Sequence, residues 1–75
     1  MTEINPETLK QLKETYQPGS RVELIEMNDQ YTKLLPGDKG TVIAVDDIGT
    51  IHVKWDSGST LGVVYGEDFC KRIED

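Results

Sequence analysis

Cysteine is almost missing from this chain. Cys70 stands alone, so no intramolecular disulfide can form and a zinc site built on several thiolates is excluded. Histidine is as scarce, with His52 the single one, which leaves little from which to assemble the nucleophile, base and orienting group of a catalytic triad. No apolar run approaches the ~20 residues that a membrane span needs. Nor does a charged-then-apolar leader open the chain. The expectation is therefore a cytoplasmic, reduced protein with no membrane partner. Positive charge is also in short supply: eight Lys and Arg face fourteen Asp and Glu, for a net charge of −6. Proteins that grip nucleic acid draw most of their affinity from cations on phosphates, so direct DNA or RNA binding is not expected. An acidic surface suits a basic partner, or keeps a small protein soluble.

What is present is enough for one small domain. A chain of 75 residues buries only about 60% of the surface its unfolded form exposes, so its core is a single cluster with no deep cleft between lobes. Such a domain works by presenting a surface.

Residues 1–17 read as an N-terminal helical extension. Asn5 is a good N-cap, Pro6 takes the first helical position where its missing N–H costs nothing, and Glu7 complements the first turn. Leu9, Leu12 and Tyr16 recur at helical spacing. A free helix this short is marginal in water, so its stripe is expected to dock on its own barrel, on a second copy or on a partner, or else to fray. The chain is thus expected as a monomer or as a helix-mediated homodimer. Gln17-Pro18-Gly19 ends the helix.

Residues 18–75 carry the period of a sheet. Val22 and Leu24 alternate with Glu23 and Glu26 in a first strand from about Arg21 to Glu26. A long connection, Asn28 to Lys39, follows, in which one of Leu34 and Leu35 turns into the core. The second strand, Thr41–Val45, is apolar on both faces, Val42 and Ala44 on one and Ile43 and Val45 on the other. The helix is the expected cover for its outer side. Asp46-Asp47-Ile48-Gly49 and Ser57-Gly58 are hairpin turns. Between and after them, Ile51, Val53 and Trp55, then Leu61 and Val63, continue the inner face. Gly62 marks a close approach or a bend. Tyr65 to Asp68 reads as one turn of 3₁₀ helix, and Phe69–Ile73 as a fifth strand with Phe69 closing the barrel. A long first loop, two tight hairpins and a turn before the last strand predict a mainly β fold, a small SH3-like five-stranded barrel with a short N-terminal α-helix.

Gly19-Ser-Arg-Val22, Pro36-Gly-Asp-Lys-Gly-Thr-Val42, Gly49-Thr-Ile-His-Val-Lys-Trp-Asp-Ser-Gly58 and Gly66-Glu-Asp68 carry a resemblance. Over about residues 18–73 they resemble a bacterial domain-of-unknown-function family of small SH3-like proteins, whose members occur in Firmicutes and in their phages and mobile elements. The pattern is also similar to the mind bomb domain, an SH3-like module that binds peptides. These residues are turn glycines and core positions, so the resemblance implies a fold more than an activity.

His52 on a polar strand face and Cys70 near the fifth strand point to no active site, and no enzyme activity is expected. No metal and no cofactor are expected either. Asp46 and Asp47 at a hairpin tip, and Asp29 and Asp38 in the long loop, lack the spacing of a calcium loop and suit Asx turns. The candidate partner-binding residues are Tyr31 and Asp29 in the long loop with Tyr65, Glu67 and Asp68 before the last strand. In an SH3-like plan these two segments lie side by side. Tyrosines beside carboxylates offer flat apolar area plus charge to an Arg- or Lys-bearing peptide. The expected function is a non-catalytic protein-interaction module of phage or mobile-element origin, binding a protein or peptide through this acidic and aromatic rim. The alternative is an acidic inhibitor that imitates nucleic acid and blocks a host DNA- or RNA-binding enzyme.

Overall fold

A computed structural model describes residues 4–28 and 32–74. One helix, α1 (Pro6–Thr15), precedes five strands: β1 (Arg21–Glu26), β2 (Lys39–Val45), β3 (Ile51–Trp55), β4 (Thr60–Val63) and β5 (Phe69–Ile73). The helix starts as its sequence dictates. Asn5 holds an extended backbone while its side-chain oxygen accepts the Glu7 N–H at 2.8 Å, and Pro6 follows it.

All five strands lie in one antiparallel sheet of order β4-β3-β2-β1-β5. The sheet is mainly β-hairpin in construction, and no ladder joins β4 to β5, so it is not closed on itself. The predicted closure gives way to two edges that are blunted individually. Leu24 directs its carbonyl and N–H toward Gly37 and Asp38. By alternation Glu23 faces β5, where it meets Lys71, which leaves the backbone groups of Cys70 on the outer edge. There the Tyr16 hydroxyl donates to the Cys70 carbonyl at 3.3 Å. At the other edge the N–H of Val64, just past β4, donates to the Asp68 carboxylate at 3.0 Å. Short edges whose polar groups are taken by side chains resist pairing with other chains.

The core is Val22, Leu24, Leu34, Val42, Ile51, Val53, Trp55 and Val63, with Leu12, Tyr16, Met27, Val45, Leu61 and Cys70 packed against it. Trp55 is buried as its register with Ile51 and Val53 predicts, and its ring N–H donates to the Leu61 carbonyl at 2.9 Å, satisfying the one polar atom it brings inside. Of the two leucines in the long connection, Leu34 is buried and Leu35 exposed. A Cβ at Gly40 would stand 2.6 Å from Val53 Cγ1 and 2.9 Å from the Lys54 carbonyl. Glycine is needed at Gly40 because β2 and β3 approach closely there.

Strict alternation fails in two places, for one reason. β2 carries a bulge between Val42 and Ala44, so Val42 faces Val53 while Ala44 shares a side with His52. The inward pair is therefore Val42 and Val45; Ala44 and Ile43 face water, Ile43 being 52% exposed. The helix accordingly does not cover an outer face of β2. It sets Leu12 and Tyr16 against the core instead. A second bulge, between Leu24 and Glu26, brings Glu26 opposite Phe69. Phe69 is 48% exposed, where the sequence pattern has it closing the interior. Tyr65–Glu67 form a hydrogen-bonded turn, with Glu67 and Asp68 both donating to the Val64 carbonyl, rather than a 3₁₀ helix. Among the described residues no helix is long and apolar enough to cross a membrane.

Candidate functional site

An apolar groove of about 320 Å³ opens where α1, the start of β3 and the turn between β4 and β5 meet. Its floor is Ile51 and Val63, both buried. Leu12 and Tyr16 form one wall, and Tyr65, Phe69 and Cys70 the other. The groove exists because the sheet stays open. Side chains of α1 fill only part of the gap between β4 and β5, and aromatic rings rim the rest. Tyr65 is 41% exposed, so two large rings face water at the same mouth. That volume is at the small end of the range for specific ligand sites.

Four local devices hold the walls. Lys13 at the end of α1 donates to Asp47 at 2.7 Å, tying the helix to the β2–β3 hairpin. Asp46 organises that hairpin: Oδ1 accepts the N–H groups of Ile48 at 3.1 Å and Thr50 at 2.8 Å, while Oδ2 meets His52 Nε2 at 2.9 Å. Burial pushes the Asp46 carboxyl up, but the His52, Thr50 and Ile48 donors outweigh it and hold it below the usual carboxylate range. The Asx-turn reading of Asp46 is thus what the structure shows, and Asp47 serves as an ion-pair partner. Gly49 gives the third device, since a Cβ there would lie 2.9 Å from Ile4 Cδ1 and 3.2 Å from Tyr65 Cβ, at a φ of +87°. The fourth is Asp68, whose Oδ1 accepts the Asn28 N–H at 2.7 Å and Oδ2 the Val64 N–H. This carboxylate clasps the long connection to the turn before β5.

The predicted rim is thereby partly redrawn. Tyr31 and Asp29 lie outside the described residues. Tyr65 and Glu67 are exposed, Tyr65 on the groove and Glu67 beside it in the same turn. Asp68 is only 8% exposed and committed to two backbone amides, so it builds the rim instead of meeting a partner. The juxtaposition of the long connection with this turn is present, carried by the Asn28–Asp68 bond. Phe69, Leu12, Tyr16 and Cys70 were not legible as site residues. An exposed aromatic at the head of a strand was the one available signal, and strand alternation concealed it.

Acid–base chemistry finds little footing here. His52 faces outward on β3, and Cys70 lies on β5 with β2 and β1 between. Burial pushes the Cys70 thiol up to about 11, which the Tyr16 hydroxyl only partly offsets, so the thiol stays protonated and weakly nucleophilic at neutral pH. Burial, then the nearby Cys70, raises Tyr16 as well. Among the described residues no three His, Cys, Asp or Glu side chains cluster as a metal site.

The profile of a protein family described as a domain of unknown function, DUF4314, matches residues 5–73. The match takes in α1 as well as the five strands, whereas the motif resemblance leaves the helix outside. No curated protein matches the chain.

Proposed function

We propose that this chain, which belongs to the DUF4314 family, is a non-catalytic interaction module that holds a segment of a protein partner in the groove between α1 and the β4–β5 turn. The single observation that carries this is the pair of half-exposed rings, Tyr65 and Phe69, at the mouth of a groove floored by core residues. Exposed aromatics around a desolvated floor are what protein-recognition surfaces use as anchors. The tethering of α1 by Lys13–Asp47 and Tyr16–Cys70 supports a preformed groove, which lowers the cost of binding. The SH3-like plan and the phage or mobile-element source implied by the sequence motifs belong to the same reading, as does a cytoplasmic setting.

Capture with wild-type chain and with Phe69→Ala, from a lysate of the encoding organism, tests it. A partner should be retained on the wild type at both ~0.15 M and ~0.5 M salt, because apolar contacts are screened little, and should be lost on the variant. Recovery of nucleic-acid-binding proteins alone, released at the higher salt and indifferent to Phe69, would instead mark the chain as an acidic mimic of nucleic acid.

A further inference from the structure

We infer that the groove's occupant is a segment of a different protein that presents an arginine, its guanidinium lying over Phe69 and bonded to Glu26 and Glu67. The inference rests on the groove reading above and adds the chemistry of the partner.

Three observations converge on Phe69. It is the first residue of β5 and 48% exposed, so one face of its ring is open. The bulge in β1 places Glu26 directly opposite it across the β1–β5 pair. Glu67 lies two residues before it, in the exposed turn. Neither glutamate's carboxylate makes a hydrogen bond or ion pair among the described residues. Carboxylates of the turns are engaged elsewhere, Asp46 with its hairpin and His52, Asp47 with Lys13, Asp56 with Arg21, and Asp68 with backbone amides, while Glu23 of β1 stands in register between Lys39 and Lys71. Unused negative charge is therefore found beside the open ring, within a chain already at −6.

A planar cation matches that arrangement. Guanidinium is less strongly hydrated than ammonium, stacks on an aromatic face, and carries a fork of donors that two carboxylates can share. Lysine would satisfy the charge but neither stack nor fork. A second copy of this chain is a poor source, because two bodies each at −6 repel. Of its two arginines, Arg21 is held by Asp56 in a two-pronged pair at 2.8 and 2.6 Å, while Arg72 is exposed, so charge repulsion is what argues against it.

The test uses the full chain and a displayed library of random dodecapeptides. The best binder is then synthesised as selected, with each arginine replaced by neutral, nearly isosteric citrulline, and with each replaced by lysine. Affinities are measured by calorimetry against wild type, Phe69→Ala and the double variant Glu26→Gln/Glu67→Gln, with circular dichroism confirming that each variant is folded. Binders should carry arginine, and citrulline should weaken them about tenfold or more on the wild type. On the double glutamine variant most of that penalty should vanish, because the carboxylates that read the charge are gone. Peptides that lack arginine or tolerate citrulline, yet lose affinity on Phe69→Ala, would overturn the arginine inference and leave the groove reading standing. If no peptide binds, or none depends on Phe69, both fall.

Discussion

Asp68 shows how one side chain can be decisive without touching a partner. Its two carboxylate oxygens hold the amides of Asn28, forty positions away, and of Val64, four away, so the shape of the groove's rim depends on it. Replacing it with alanine leaves the Val64 amide unmet on the sheet edge, and a lost buried acceptor costs about 1–3 kcal/mol. We expect Asp68→Ala to lower the urea midpoint accordingly and to speed amide exchange at Asn28 and Val64 ahead of the core strands. Asp68→Asn, which keeps one acceptor oxygen, should lie between. Equal exchange rates in wild type and Asp68→Ala would show that the clasp contributes nothing.

The telling feature among the elements is the seam between α1 and β5. Leu12 and Tyr16 face the core, the Tyr16 hydroxyl covers the Cys70 carbonyl, and the Cys70 thiol is pushed up to about 11 by burial. The unfolded chain has its thiol near the ordinary value of ~9. The folded state therefore holds the proton more tightly, and this contribution to stability is fully present below about pH 9 and lost as pH rises toward 11. Two consequences can be measured. Alkylation by iodoacetamide at pH 8 should be about a hundredfold slower in the folded chain than in urea. The melting temperature should also fall between pH 9 and 11 in wild type by more than in Cys70→Ala. Equal alkylation rates would mean that the seam is open.

For the whole molecule, the helix stripe decides the state of assembly. Its apolar residues Leu12 and Tyr16 are committed within the same chain, and Lys13 is bonded to Asp47. Between chains each at −6 there is repulsion and, on this helix, little apolar area left to overcome it. Sedimentation equilibrium should accordingly show a monomer at micromolar concentration. A concentration-dependent dimer that Leu9→Glu abolishes would show that the exposed side of α1 is shared between copies.

The strand positions, the helix start at Asn5, the turn role of Asp46 and a core of Val22, Leu24, Val42, Ile51, Val53 and Trp55 were determined by the sequence alone. Each depends on nearest neighbours or on a short period: a cap, a proline, an alternation, a glycine free to take positive φ at Gly49. Only the tertiary structure decided that Ala44 turns outward, that Phe69 is open, that Asp68 turns in and that the sheet stays unclosed. Those outcomes depend on where two bulges fall and on which distant segments meet. One unpaired residue reverses every facing beyond it, and Leu12, Ile51, Tyr65 and Phe69 become neighbours only after the chain has folded.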